Sequence, residues 1–503
     1  MKPITAGEMA ALEANAEYLG VSLLQLMECA GKAVADQVEN LKLAGEVAVY
    51  AGTGRNGGDG MVAARHLASR GFQVTLILVG GEERIASPVV SANWKTLKSM
   101  TDSVEIISAR DSSQIPMVEA STIIDALLGI GVKGRLRPPI LQAVQAVNKL
   151  KGFKVAVDVP TGIDADTGAV LGKAVKADLT VTFHRVKLGL TKAKKYAGRI
   201  HVADIGIPPE AEVYAGPGDV GKVRRSRHSS AHKGDFGRLL VVGGSSVYSG
   251  APALAALAAL EVGVDLAYVA APREAAQAIS SYSPNLITFK LEGESLSLKH
   301  LRTLKLLIEK CTALILGPGL ETRKESLKAL PKILALAEAY RKPMLLDADG
   351  LKLFAQLKRK AKTACVLTPH RGEFKILTGV EPPVKLEETG EAVRKAAVKF
   401  NATILLKAPV DVVSNGGKVK YNRTGGPAMT VGGTGDVLAG VVGGFLAMGV
   451  PPFDAAVAGA FINGAAGDLA YKRKGPHVKA TDLLTEIPRL IENPMSHLEA
   501  LQK

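Results

Sequence analysis

Val47-Ala48-Val49-Tyr50-Ala51-Gly52-Thr53-Gly54-Arg55-Asn56-Gly57-Gly58-Asp59-Gly60 reads as a short apolar strand, a glycine turn and the start of a helix. Gly52, Gly54 and Gly57 satisfy G-x-G-x-x-G where the pattern has a mechanism, at a strand-to-helix turn whose backbone N–H groups can face an anion. Asp59 argues against a phosphate there, because a carboxylate near a helix start repels anions and suits a hydroxyl, an amide or a metal ion. Helix capping is the simpler alternative for Asp59, aspartate being a preferred cap.

The alternation continues outward from this turn. Upstream, Met9, Leu12, Ala16, Leu19 and then Leu23, Leu26, Met27, Ala30 recur at helical spacing, so residues 1 to about 42 read as helices. Downstream, Gly60–Ser69 reads as a helix, and Val74–Val79, Val104–Ile107, Ser121–Asp125, Val155–Val159, Leu179–Phe183 and Ile200–Ala203 read as strands. Ile207-Pro208-Pro209, Gly216-Pro217-Gly218 and the run Arg224-Arg225-Ser226-Arg227 then lack an apolar period. A second series has strands at Leu239–Val242, Leu266–Val269, Ala313–Leu316, Met344–Leu346, Ala364–Leu367 and Thr403–Leu406. The expected architecture is α/β with two domains: a Rossmann-like, three-layer parallel sheet over residues 1–210, a linker at 211–227 and a second α/β domain over 228–503.

The composition agrees. A chain of 503 residues exceeds what one core usually serves, and 47% apolar with 22% charged residues is ordinary for a globular protein. Cys29, Cys311 and Cys365 lie too far apart in sequence for a C-x-x-C zinc or redox motif, and a reducing, cytoplasmic setting is expected. Ala251–Ala271 is interrupted by Glu261 and Asp265, so it reads as a buried helix and a strand, and no membrane association is expected. The net charge of +15 suits anionic small ligands; with 4% aromatics and no stacking residues among the basic runs, nucleic acid is not expected as a partner. Alanine-rich helices permit subunit packing, and a homo-oligomer is expected.

Two further carboxylates end strands on the edge where the glycine turn lies. Asp125 is followed by Gly129-Ile130-Gly131-Val132-Lys133-Gly134-Arg135, and Asp158 by Val159-Pro160-Thr161-Gly162. Ligands of parallel sheets bind outside the carboxyl ends of the strands, so these residues define a site, although a single aspartate after a strand is often a turn former. With Leu26-Met27-Glu28-Cys29-Ala30-Gly31, the segments resemble the epimerase domain of NAD(P)H-hydrate repair enzymes over about residues 1–210. The resemblance implies that Arg55, Asn56, Gly57, Gly58, Asp59, the loop Gly129, Ile130, Gly131, Val132, Lys133, Gly134, Arg135, and Asp158 bind hydrated NADH or NADPH. It also implies a potassium ion held by Asn56, Asp125 and Thr161; Arg55 stands where the family usually has a second asparagine. Inverting C6 of the hydrated ring requires proton transfer on each side of the bond broken and remade. Asp158 is the candidate acid/base, and Lys192 is taken as its partner from among several lysines in 187–195.

In the second half, Thr430-Val431-Gly432-Gly433-Thr434-Gly435-Asp436 precedes an apolar helix. Glycines at a helix start let amides face a phosphate, and Asp436 can take the proton of an attacking hydroxyl. No Gly-Lys-Thr or Gly-Lys-Ser follows, which excludes a Walker loop; a glycine-rich helix start packed on a neighbour is the alternative. Tyr248-Ser249-Gly250-Ala251, Gly317-Pro318-Gly319-Leu320, Asp347-Ala348-Asp349-Gly350-Leu351, Thr368-Pro369-His370-Arg371-Gly372-Glu373-Phe374 and Lys407-Ala408-Pro409-Val410-Asp411 complete the pattern. In that order they resemble the ribokinase-like fold, in its ADP- or ATP-dependent NAD(P)H-hydrate dehydratase branch, over about residues 228–490.

This second resemblance implies that Gly319, His370, Arg371, Gly372, Glu373, Phe374 and Asp436 contact the hydrate. It implies that Lys407, Ala408, Pro409, Val410, Asp411 and Gly426, Pro427, Ala428, Met429, Thr430, Val431, Gly432, Gly433, Thr434, Gly435 hold ADP or ATP, with Mg2+ accompanying the nucleotide. Arg371 stands where proline is usual and Ala408 where glycine is usual. The competing readings are a vitamin-precursor kinase in the second half and a non-catalytic binding or assembly module in the first.

Overall fold

The computed structural model describes residues 2–43 and 45–501. They form two compact units, residues 1–208 and 209–503.

The first unit is a seven-stranded, wholly parallel sheet. In chain order its strands are β1 (Val47–Ala51), β2 (Val74–Val79), β3 (Val104–Ala109), β4 (Thr122–Ala126), β5 (Phe153–Val157), β6 (Leu179–Phe183) and β7 (Arg199–Ala203). In space the order is β3-β2-β1-β4-β5-β6-β7, so the winding reverses between β1 and β4 and opens a crevice at their carboxyl ends. β1, β4 and β6 are buried along their whole length, as continuous apolar runs in parallel sheets must be. Each buried valine or leucine side chain stabilises by about 1.5–3 kcal/mol, which outweighs weak local preferences.

Two capping boxes start the leading helices: Thr5 with Glu8 opens Ala6–Tyr18, and Ser22 with Gln25 opens Leu23–Asn40. The helix after β1 spans Arg55–Ser69 with Gly54 at its cap, so Asp59 lies a turn inside and does not cap it. Glycine is required in this turn. A Cβ on Gly57 would stand 1.8 Å from the Gly52 carbonyl oxygen, and one on Gly52 would stand 2.0 Å from that of Leu127.

The second unit has a nine-stranded sheet in the order β10-β9-β8-β11-β12-β13-β14-β15-β16. Its strands are β8 (Arg238–Val242), β9 (Leu266–Pro272), β10 (Leu286–Leu291), β11 (Ala313–Leu316), β12 (Met344–Leu346), β13 (Cys365–Leu367), β14 (Thr403–Leu406), β15 (Asp411–Ser414) and β16 (Val419–Asn422). All pair in parallel except β14–β15 and β15–β16, and the winding reverses between β8 and β11. The predicted strands recur within a few residues, but β10, β15 and β16 were not foreseen. β10 lies on a sheet edge and β15–β16 form an antiparallel ribbon at the other, positions where short, half-polar segments suffice.

Residues 211–227, expected as a linker, fold with the second unit. They include part of helix Pro209–Val213 and helix Pro217–Val223; the Ala215 N–H donates to the Tyr421 carbonyl at 2.7 Å, and Lys420 pairs with buried Asp219 at 2.6 Å. Proline and glycine here start helices; they do not mark slack chain. No helix among the described residues is long and apolar enough to cross a membrane.

Candidate active sites

In the first unit, β1, β4 and β5 lie side by side and bring the Gly52–Gly57 turn, Asp125 and Asp158 to one edge. Asp158 is the residue after β5, at φ 63°, a left-handed conformation that aspartate tolerates better than most residues. It is buried and accepts hydrogen bonds from the Thr182 hydroxyl at 3.0 Å and the Phe183 N–H at 3.3 Å. Its ionic partner is Lys187, whose side chain is 0% exposed and whose ammonium also donates to the Phe183 carbonyl at 2.9 Å. Lys192, expected as the partner, is exposed beyond a 3-10 turn and does not reach Asp158. The chain leaves β6 next to β5, so the lysine that can turn back is the one five residues after Thr182, before that turn.

Two more carboxyls converge here. Glu13, from helix Ala6–Tyr18, was missed; it sits four residues after buried Met9 on the inward stripe of that helix and pairs with Arg55 at 3.4 Å. Burial raises its pKa above the usual carboxylate range against the pull of Arg55, and Asp158 adds to the rise. Half-buried Asp59 is raised further, by burial first and then by Asp158 and Glu13. One buried ammonium thus faces three carboxyls, and the two that lack direct contact with it are held above the usual carboxylate range.

Asp125 is 0% exposed and accepts from the Thr161 hydroxyl at 2.6 Å, the Thr161 N–H at 2.8 Å and the Leu127 N–H at 3.3 Å. Burial nonetheless pushes its pKa up to about 6. Asn56 is buried with its amide nitrogen unpartnered, and its amide oxygen lies where a Gly129 Cβ would stand 2.9 Å away. The three residues expected to share an ion are therefore gathered around one edge of the sheet. In the loop after β4, Lys133, Gly134 and Arg135 are exposed, whereas Ile130 and Val132 pack against apolar clusters.

In the second unit, β12, β13 and β14 deliver Asp347, Thr368 and Lys407 to adjacent strand ends. Buried Asp347 accepts from the Thr368 hydroxyl at 2.8 Å and the Lys407 ammonium at 2.8 Å through the same oxygen. Helix Thr434–Ala447 starts above them, with Gly433 at φ 98° and no side-chain cap, so its first amides are left for a ligand. Asp436 lies in its first turn; burial pushes its pKa up to about 7, with Asp347 adding to the rise and Lys407 opposing it. Burial lowers the Lys407 pKa, but Asp347, Glu373 and Asp436 together hold it above the usual lysine value.

A cleft of about 1000 Å3 opens over this turn, at the β8/β11 reversal, between Tyr248, Gly319, Asp349, Lys352, Gly433 and Asp436. A second, of about 530 Å3, lies along Gly426–Val431 and is closed by Gly467, Asp468, Tyr471 and Pro476. The segment from Gly426 to Gly433 therefore lines one cleft with its first residues and the other with its last.

The residues expected to bind the hydrate divide. Gly319 and Asp436 line the larger cleft. His370 pairs as an isolated bridge with Lys407, accepts the Gly372 N–H at 3.0 Å on Nδ1 and keeps an exposed ring. Glu373 turns back to the His370 N–H at 2.9 Å. Phe374 is in the apolar core, and Arg371 is tied to the carbonyls of Pro382 at 2.5 Å and Pro383 at 3.2 Å, so both side chains serve packing and loop geometry instead. Among the nucleotide residues, Asp411 accepts from the Ala408 N–H at 3.1 Å and Asn422 at 3.0 Å and shapes its own turn.

Comparison with known proteins follows the same division. A family described as NAD(P)H-hydrate dehydratase matches residues 239–489, and one described as YjeF-related protein N-terminus matches residues 23–189. The chain is 45% identical over 502 residues to the bifunctional NAD(P)H-hydrate repair enzyme Nnr of Hyperthermus butylicus, covering 98% of this chain and 93% of that protein. It is 46% identical over 499 residues to the protein of the same name from Pyrobaculum aerophilum, covering 98% of each. Among solved structures, a hypothetical protein of Streptococcus mutans superposes with a TM-score of 0.50 at 26% identity, over 56% of this chain and 99% of that one.

Proposed function

The chain belongs to the family of bifunctional NAD(P)H-hydrate repair enzymes, and from that premise we propose how its two sites divide the work. The first unit interconverts the R and S epimers of hydrated NADH and NADPH. The second consumes the S epimer, with ADP or ATP as phosphoryl donor, and returns NADH or NADPH.

In the second unit Asp436 takes the proton of the C6 hydroxyl as its oxygen attacks the terminal phosphorus of the nucleotide. The free amides of the Gly432–Gly435 turn and the Lys407 ammonium balance charge on the transferring group. Hydroxide is a poor leaving group and phosphate a good one. The ring nitrogen then expels phosphate from C6, and loss of a C5 proton restores the reduced ring. The smaller cleft receives the nucleoside end of the nucleotide and the larger one the hydrate, with the segment Gly426–Gly433 between them. No group of three or more His, Cys, Asp or Glu that could hold a metal ion occurs among the described residues, so Mg2+ would be held mainly by the nucleotide's own phosphates.

In the first unit Asp158 gives a proton to the C6 hydroxyl as the ring nitrogen expels it as water and takes one back as water adds to the opposite face of C6, while Lys187 fixes the carboxyl's orientation. The amide of Asn56, the carboxylate of Asp125 and the hydroxyl or carbonyl of Thr161 are oxygen donors that fit a potassium ion. Burial lifts the Asp125 carboxyl, and a cation held beside it would offset that cost. Bound potassium would supply positive charge that keeps Asp125 ionised beside the substrate loops. A cytoplasmic homo-oligomer acting on small molecules completes the reading.

The observation that carries the proposal is Asp436, poised near neutrality beside an uncapped glycine turn in a cleft wide enough for a dinucleotide. The test is the purified chain given S-hydrate and ADP. Release of free phosphate together with NADH supports dehydration, whereas a phosphorylated product that accumulates would make the second unit a small-molecule kinase.

A further inference from the structure

Asp347 is not among the residues that touch either cleft, yet the strand ends are built around it. Its backbone is locked: a Cβ on Gly317 would stand 1.8 Å from the Asp347 carbonyl oxygen, and the next residue, Ala348, takes φ 47°. Its side chain is 3% exposed and gives one oxygen to both Thr368 and Lys407, each at 2.8 Å. The lysine it holds points at the glycine turn, where a Cβ on Gly435 would stand 3.5 Å from the ammonium nitrogen. A flexible four-carbon side chain reaches that spot in one orientation only because a buried anion fixes its end.

We propose that Asp347 is a positioning residue of the dehydratase, holding the Lys407 ammonium beneath the Gly432–Asp436 turn so that it meets the transferring phosphoryl group. The inference rests on the reading of the second unit given above. Thr368 completes the device by holding the carboxylate that holds the lysine. The charged groups around Asp436 are Asp347 and Lys407 at the strand ends and, across the cleft, Asp349 with Lys352 and Glu321 with Arg323, which pair at 2.9 Å and 2.8 Å and leave less net charge to act on it. Asp347 therefore has a second effect, since its negative charge makes Asp436 a stronger base.

The test is a cycle of Asp347→Asn, Lys407→Met and the double variant in the full chain, with S-hydrate and ADP. Lys407→Met should lose about 100-fold in kcat or more, as removal of a preorganised charge-stabilising donor does. Measured above the acid limb, where Asp436 is ionised in every variant, Asp347→Asn should lose at least about tenfold in kcat alone and less than about twofold on the Lys407→Met background, because there it acts through the lysine. Asp347→Asn should also move the acid limb of kcat/KM below its expected place near pH 7, which a purely structural defect would not do. R-to-S epimerisation by the same samples reports the integrity of the first unit, and circular dichroism that of the whole chain. If Asp347→Asn does not fold, Thr368→Val carries the test, with a smaller loss that again vanishes without Lys407.

Losses that multiply in the double variant, or an acid limb that stays in place, overturn the proposal. A wild-type chain that turns over no S-hydrate overturns the reading of the site and this inference with it. A wild-type chain that does so, with multiplicative losses, overturns the inference alone.

Discussion

Replacing Lys187 with methionine removes the ammonium that faces Asp158 and leaves a carboxylate in a place that is 7% exposed. Breaking a buried pair from one side costs about 3–5 kcal/mol when the remaining charge cannot escape. The hydrogen bonds from Thr182 and Phe183 persist in the variant and soften that cost, so the loss should lie in the lower part of the range. The assay is built in, because Trp94, the one tryptophan, lies in the first unit with its ring largely buried and reports unfolding there. Urea titrations followed by its fluorescence should show Lys187→Met losing about 3–4 kcal/mol. A loss below about 1 kcal/mol would refute the assignment of the pair.

Three further outcomes are expected. Gly433→Ala should abolish dehydration and weaken nucleotide binding, read by calorimetry, because its φ of 98° is foreign to alanine and the new methyl would stand 2.7 Å from Leu254 and 2.8 Å from Ala480. The kcat/KM for dehydration should rise with pH through about 7 as Asp436 ionises, and Lys407→Met should move that limb upward, since the lysine lowers the Asp436 pKa; a flat profile from pH 6 to 8 would contradict the assignment. Exchanging potassium for choline should slow epimerisation and leave dehydration of S-hydrate unchanged, because Asn56, Asp125 and Thr161 all belong to the first unit.

Much of the fold was legible because buried parallel strands announce themselves as apolar runs, and Val74–Val79, Leu179–Phe183 and Thr403–Leu406 were read with their observed ends. β10 escaped because Thr288 and Lys290 interrupt its apolar pattern on an exposed edge. The 211–227 segment was misread because proline and glycine start helices as readily as they end them. At the sites, glycine turns and strand-end aspartates were visible, since turn chemistry restricts residue choice. What could not be read was long-range pairing. Which lysine reaches Asp158 depends on the path of the chain after β6, and Lys187 rather than Lys192 is decided by that path. Glu13 could have been found as a carboxylate four residues after Met9 on an apolar stripe. Asp347 was visible as a strand-end residue, but its grip on Lys407 spans 60 residues and appears only once β12, β13 and β14 are aligned.

The division of labour between the units is tested most directly with R-hydrate of NADH as sole substrate, excess ADP, and the wild-type chain beside Asp158→Asn. The account predicts that wild type regenerates NADH with one phosphate per turnover, and that the variant does so from S-hydrate but not from R-hydrate beyond its spontaneous epimerisation. Equal rates from R-hydrate in the two proteins would contradict it.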